Sequence, residues 1–202
     1  MNINNINVNK YPISQILDPE SKTIYEIPKY QREYIWGTKQ WEELFNDLME
    51  NGAGYFLGSI ICINTTQDTL NNPKFEVVDG QQRLTTLSLL LAALYVTLDS
   101  NRDFLDEDQQ SDILQLKRKL VIKKTQSEIR IVPQVQHKNL EDYMGLLADK
   151  KIIAPHQTPK FAGNRRIFQG YNYCKRRIDS ELEASNNKVA TMFEILEKVN
   201  TA

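Results

Sequence analysis

The sequence has few cysteines, no long hydrophobic run and almost no net charge. Cys62 and Cys174 are the only cysteines among 202 residues, and they lie too far apart for a metal motif and are too few for a disulfide scaffold. The longest apolar stretch, residues 87–98, is too short to cross a bilayer. The N-terminus lacks the basic start and apolar run of an export signal. These absences predict a reduced, cytoplasmic protein with no membrane partner.

The charges of the chain are balanced, so its total charge does not point to a partner. Lysine and arginine number 25 and the acidic residues 26, for a formal net charge of -1. A strongly basic protein would suggest nucleic acid, whereas here only local patches can do so. With 41% hydrophobic and 25% charged residues, the composition is that of a folded globular protein. The length suits one large domain or a domain with an appended subdomain.

The sequence patterns change near residue 100. Before it, residues 22–28, 55–64 and 74–80 look like strands, and residues 38–51 form an amphipathic pattern with Thr38 as its N-cap and Gly52 after its end. We expect the last two strands to pair antiparallel through the polar loop 64–74. After residue 100 the pattern is helical, except for one short strand at 128–133.

The predicted fold class is therefore α+β, a small mixed sheet with helices in residues 1–100 and a mainly helical subdomain in residues 101–202. The helical pattern continues to the last residue. We expect from this that the sequence stops before a further domain.

The segment VVDGQQRLTTL joins a strand to a long apolar helix and has polar residues at the junction. A helix starting after Gly80 would present unpaired main-chain N–H groups and the positive end of its dipole to an anion. Arg83 can pair with phosphate oxygens, and Asp79 can hold Mg²⁺, orient a water or contact a sugar hydroxyl. This combination favours a nucleotide over bare phosphate. The alternative is an ordinary helix start with Asp79 as N-cap.

A second unusual cluster is IPKYQREYIWGTKQW, residues 27–41. Its aromatic and cationic side chains alternate in a way suited to stacking bases and pairing with phosphates. The alternative is that the aromatics fill the core, and we assign Trp41 and Phe45 to the core. Core packing explains little about Gln31 and Arg32.

The segments IPKYQREYIW, YFLGSIICI and VVDGQQRLTTL, in that order, resemble the N-terminal domain of GmrSD-type restriction endonucleases. That family has a ParB/sulfiredoxin-like fold and includes phosphorothioate-sensing phage-defence proteins. The resemblance is close over the first half of the chain and holds only in outline over the helical half. It implies a domain that binds and hydrolyses GTP or another nucleoside triphosphate with Mg²⁺. The expected partners are modified phage DNA and a C-terminal HNH-type nuclease domain, on the same chain or on a partner subunit, and a homo-oligomer is left open.

The resemblance also assigns roles to individual residues. Its catalytic residues are Asp79, Gln82 and Arg83, with Asp79 as the Mg²⁺ ligand. Its nucleotide-binding residues are Gly80, Gln81, Arg32, Gly58, Ser59 and Thr85, of which Gly58 would allow close backbone approach and Ser59 would hydrogen-bond the ligand. Its residues for recognising a base or modified DNA are Tyr30, Gln31 and Trp36.

Two basic regions could follow a DNA backbone. The candidates are Lys117, Arg118, Lys123 and Lys124 in the first region, and Arg165 and Arg166 in the second. The alternative is a solvated surface, because acidic residues such as Asp179 and Glu181 balance the second region. His137 and His156 lack the pattern of a nuclease motif, and we interpret both as surface or capping residues.

Two other functions remain open on the sequence. The cleft could be a non-enzymatic switch that only binds a nucleotide or modified DNA, or a ParB-like domain that nicks DNA itself. Nicking would need several metal-binding carboxylates. Around Asp79 the sequence offers only Glu76 and Glu33 for that role.

Overall fold

The computed structural model describes residues 9–67, 72–122, 128–135 and 138–202. Within these ranges the chain forms an α+β fold, as predicted. Its elements are α1 (Ile13–Ile16), β1 (Ile24–Glu26), α2 (Thr38–Glu50), β2 (Ile61–Asn64), β3 (Lys74–Asp79), α3 (Gln81–Asp99), α4 (Glu107–Leu120), β4 (Ile131–Val132), α5 (Asn139–Asp149), α6 (Arg166–Ala184) and α7 (Lys188–Thr201).

The four strands form one mixed sheet in the order β2-β3-β1-β4. β2 and β3 pair antiparallel, which confirms the prediction, while β1 lies between β3 and β4 and runs parallel to both. The carboxyl ends of parallel strands meet at one edge of a sheet, where ligands of α/β proteins commonly bind. The residues that follow β1, β3 and β4 are therefore brought together.

Helix α3 lies in the middle of the core. Its residues are buried on nearly every side, as expected of a helix that is apolar all round, and it packs against α4, α6 and α7. The predicted boundary near residue 100 falls between α3 and α4, and one hydrophobic core draws on both halves of the chain. No helix in the described ranges is both long and apolar enough to span a membrane.

Two predicted elements differ in their bounds. Helix α2 begins at Thr38, so its N-cap is Gly37 and not Thr38, and the Gly37 N–H donates to Gln40 Oε1 at 3.0 Å. The strand predicted over residues 55–64 begins only at Ile61. Gly58 has a φ of 104°, which lies outside the extended region and interrupts a strand.

Two cations are buried between α4 and β4. Arg130 is 1% exposed and donates to the main-chain oxygens of Pro19, Ser21 and Arg118. Lys119 is 4% exposed. Its burial lowers the pKa to about 8, even though the charge of Asp18 favours the protonated form. This part of the predicted basic region is therefore inside the molecule.

Candidate functional site

The turn between β3 and α3 requires a glycine. Gly80 has φ 85° and ψ 6°, in the left-handed region, which is costly for residues with a Cβ. A Cβ at Gly80 would also lie 2.7 Å from the main-chain oxygen of Ser59 and 3.1 Å from Ile60. At Gly80 the chain's own backbone just before β2 therefore approaches closely.

The N-terminal end of α3 presents unpaired donors. The first main-chain bond of the helix runs from Leu84 N to Gly80 O, so the N–H groups of the three preceding residues have no partner in the helix. The N-cap is Gly80, and no side chain of the described chain caps this end. Asp79 is therefore not the N-cap, which corrects that part of the alternative interpretation. The helix dipole and these N–H groups favour an anion here.

Asp79 is exposed at the end of β3. Among the described residues its carboxylate has no hydrogen-bond or ion-pair partner. β3 and β2 are out of regular register next to it, where Ile61 pairs with Asp79 but Cys62 pairs with Val77. Such a bulge changes the direction in which a side chain points. Asp79 is therefore available to a ligand beside the helix end.

Arg83 packs over Gly58. Arg83 Nη1 donates to the main-chain oxygen of Ser59 at 3.1 Å. A Cβ at Gly58 would lie 2.6 to 2.8 Å from the guanidinium atoms, so a side chain at position 58 would require the Arg83 guanidinium to move. Within the described ranges Arg83 has no carboxylate partner, and its charge faces the same turn as Asp79.

The segment from Tyr30 to Trp36 is fixed to this turn by glutamines. Gln31 Nε2 donates to Val78 O at 2.6 Å, and Gln81 Nε2 donates to Gln31 Oε1 at 3.0 Å. The two motif segments, far apart in sequence, are thus joined directly at the junction of β3 and α3.

Gln82 makes three further bonds to the same segment. Its Oε1 accepts from Ile35 N at 2.9 Å and Trp36 N at 3.2 Å, and its Nε2 donates to Glu33 O at 2.8 Å. Gln82 is 6% exposed. These are the contacts of a positioning residue, and the catalytic role predicted for Gln82 stays a prediction.

Tyr30 and Arg32 lie on the outside of the segment. Tyr30 is 69% exposed, and its hydroxyl donates to Glu76 Oε1 at 2.6 Å, a bond that raises the pKa of Tyr30. Arg32 is exposed and has no partner in the described part of the chain. Trp36 is half-buried against the core. Tyr30 and Arg32 are therefore accessible to a ligand from solvent.

The buried face of α3 does not fit one predicted contact. Thr85 is 1% exposed and lies on the core side of α3, so it does not face a nucleotide at the helix end. Its neighbour Thr86 is also buried and pairs with the Tyr34 hydroxyl at 2.7 Å. Both threonines support the helix from inside.

Two further residues hold the Tyr30–Trp36 segment: Gln134 was not predicted from the sequence, and Glu76 was considered there only as a metal-binding carboxylate. Glu76 holds the Tyr30 hydroxyl, and Gln134, just after β4, donates through Nε2 to the main-chain oxygens of Lys29 and Gln31. The only sequence signal for Gln134 is that VPQ follows its strand much as IPKYQ follows β1. Because β4 has only two residues, its sequence pattern did not predict that Gln134 would lie at this edge of the sheet.

The carboxylates at the candidate site fit a metal ion that is also bound by phosphate oxygens of a ligand better than a metal ion bound by protein side chains alone. No group of three or more metal-binding side chains occurs among the residues that the structure describes. Mg²⁺ in nucleotide sites is commonly held by one or two carboxylates together with phosphate oxygens. An unpartnered Asp79 beside unpaired helix N–H groups fits that arrangement.

The second basic region lies beside the site. A Cβ at Gly37 would be 3.7 Å from Arg166 Nη1, which places Arg166 next to the segment held by Gln82. Arg166 is exposed, and within the described ranges its only side-chain bond is to Gln169 Oε1 at 3.3 Å. Arg165 lies 3.9 Å from Asp142. Within the described ranges Arg166 has no carboxylate partner, and it lies close to the candidate site.

The first basic region lies at the opposite end of α3. Lys117 Nζ is 5.7 Å from the ring centroid of Tyr95, fourteen residues or about 20 Å along α3 from its first residue. Arg118 is paired with Glu20 at 2.7 Å. Lys123, Lys124 and His137 lie outside the described residues. His156 is exposed.

The chain is a small α+β domain whose candidate site lies at the carboxyl edge of a sheet. The chain matches the sequence model of the GmrSD restriction endonuclease N-terminal domain over residues 13–202, and it belongs to that family. The match includes the helical half, where the motifs alone gave only an outline. Membership makes the chain a component of a restriction system. A comparison with curated proteins finds no match.

Proposed function

We propose that this domain binds and hydrolyses a nucleoside triphosphate and reports modified DNA to a nuclease domain located elsewhere. One observation carries the proposal. Three motif segments meet at the N-terminal end of α3, where Gln31 bonds to Val78 O and Gln81, and Arg83 bonds to Ser59 O. That meeting point combines unpaired helix N–H groups, the unpartnered carboxylate of Asp79 and the charge of Arg83.

The triphosphate would lie over the first turn of α3. There the N–H groups and the helix dipole stabilise negative charge, and Arg83 and Arg32 add cations where charge develops during phosphoryl transfer. Asp79 would orient the attacking water or hold the metal. When bound, Mg²⁺ would neutralise charge on the phosphate oxygens, with Asp79 as the protein ligand.

The exposed side of the Tyr30–Trp36 segment suits contact with a base or with DNA. Tyr30 offers an aromatic face held from one end by Glu76, and such faces stack on bases. Arg166 lies beside the same segment. The position of Arg166 favours the second basic region over the first as the path of a DNA backbone.

Phosphate release from GTP, ATP, CTP and UTP, with and without modified DNA, tests the activity. We expect release from at least one nucleotide with Mg²⁺. Asp79→Ala should lower turnover more than nucleotide affinity, because its carboxylate acts on the reacting group, whereas Arg83→Ala should lower both. Nucleotide binding without any release would favour the non-enzymatic switch, and equal hydrolysis by Asp79→Ala would remove Asp79 from the mechanism.

A further inference from the structure

Gln134 holds the main chain on both sides of Tyr30. It follows β4, is 3% exposed, and donates through one amide nitrogen to the oxygens of Lys29 and Gln31. Those two carbonyls flank the most exposed aromatic residue of the site. None of the three motif segments includes β4 or the residues after it.

The contacts of Gln134 are unusual for a residue that only stabilises the fold. Its Oε1 is buried and has no hydrogen-bond partner among the described residues. A buried acceptor without a partner costs stability. The stabilising contribution of the Gln134 amide therefore comes from its hydrogen bonds to the main-chain oxygens of Lys29 and Gln31.

Gln134 also contacts the start of α5, in the helical half of the chain. Its main-chain oxygen accepts from Leu140 N at 3.3 Å in the first turn of α5. α5 packs against α6, where Arg165 lies 3.9 Å from Asp142 of α5. On the other side, Gln31 is bonded to Gln81 in the first turn of α3. One chain of contacts thus runs from α6 to the N-terminal end of α3.

We propose that Gln134 is a positioning residue that couples the helical half of the chain to the nucleotide site by fixing the main chain around Tyr30. The inference rests on the proposed function for its ligand. Coupling through such a network requires that a change at one end alter binding at the other. A variant without the amide must therefore change both the order of the segment and its affinity for nucleotide.

Gln134→Met removes the donor and keeps the length of the side chain. Gln110→Met is the matched control, because Gln110 Nε2 also donates to two main-chain oxygens, those of Arg102 and Leu105, far from the site. Dissociation constants for non-hydrolysable analogues of the four nucleoside triphosphates with Mg²⁺ and amide hydrogen exchange of residues 27–36 are measured in both variants. All measurements are made at temperatures where thermal melts show each variant to be folded.

Gln134→Met is expected to raise the dissociation constant about tenfold, the effect of losing one or two neutral hydrogen bonds. It should also speed exchange in residues 27–36, including the Gln31 N–H that donates to Pro28 O at 3.0 Å. Gln110→Met should change neither. If Gln134→Met does not fold, Gln134→Asn replaces it, since its shorter side chain withdraws the donor.

Unchanged affinity or unchanged exchange of residues 27–36 in a folded Gln134 variant would overturn the inference. Failure of the wild type to bind any of the four nucleotides would overturn the proposed function. In that case the exchange experiment still decides whether Gln134 fixes the segment.

Discussion

Replacing Gln82 by Met separates positioning from catalysis at the site. The two side chains have similar length and volume, so the variant leaves no cavity of note. It removes both the acceptor for Ile35 N and Trp36 N and the donor to Glu33 O. Everything that these bonds hold is main chain of the Tyr30–Trp36 segment.

The expected loss of stability follows from those three bonds. A neutral hydrogen bond contributes about 1 kcal/mol net, and a buried group left unpaired costs about 1–3 kcal/mol. Since Ile35 is exposed, part of the freed main chain can bind water. We therefore expect the free energy of unfolding to fall by about 2–4 kcal/mol. Nucleotide affinity should fall as well, because Tyr30 and Arg32 are no longer held at the turn.

Urea unfolding and nucleotide titration measure the two effects in the same variant. Gln157→Met is the control, because Gln157 is exposed and its side chain has no hydrogen bond within the described ranges. It should change neither quantity. If Gln82→Met keeps both stability and affinity and loses only turnover, Gln82 acts on the reacting groups and the positioning role is wrong.

Three further predictions test other parts of the account. Gly58→Ala should displace the Arg83 guanidinium and strain a residue with φ 104°. Urea unfolding should show that the free energy of unfolding falls by about 1–3 kcal/mol, and titration should show weakened nucleotide binding. Normal binding would contradict the packing of Arg83 over Gly58. Because the pKa of Lys119 is about 8 in the fold against 10.5 in the unfolded chain, the unfolded state binds more protons between those values. The free energy of unfolding of wild type relative to Lys119→Met should therefore rise with pH from about 8 to 10.5, by at most about 1.4 kcal/mol per pH unit, and stay level below pH 8; parallel pH curves would show that Lys119 is not desolvated. Arg166→Ala should make the negative slope of log affinity for duplex DNA against log salt shallower by about 1, whereas Lys117→Ala should leave this slope unchanged. The reverse result would place the DNA path at the other end of α3.

The sequence was sufficient for elements with strong local patterns. The apolar face of α2 and the antiparallel pairing of β2 with β3 follow from periodicity and from the polar loop between the strands, and both are confirmed. The parallel pairing of β1 was not predicted, because it depends on contacts across the chain and because β4 has only two residues. Its consequence, the gathering of three strand ends at one edge, could not be foreseen either.

The residues of the candidate site likewise divide into those that the sequence could predict and those that depend on contacts across the chain. Asp79, Gly80 and Arg83 could be singled out by residue type, because a helix start with an acid, a glycine and an arginine suits a phosphate ligand. The partners of the amide side chains could not be predicted, since an amide can donate and accept in any direction. Gln82, which was predicted to be catalytic, is therefore found buried beneath the Tyr30–Trp36 segment. Gln134 passed unnoticed for the same reason.

A crystal structure with a non-hydrolysable nucleoside triphosphate and Mg²⁺, supported by titration of the same ligand, tests the central claim most directly. The account predicts the triphosphate over the first turn of α3, with the metal at Asp79 and phosphate oxygens near Arg83. Titration should show that Arg83→Ala weakens this binding. A nucleotide bound away from the turn formed by residues 79–83, or affinity unchanged in Arg83→Ala, would contradict it.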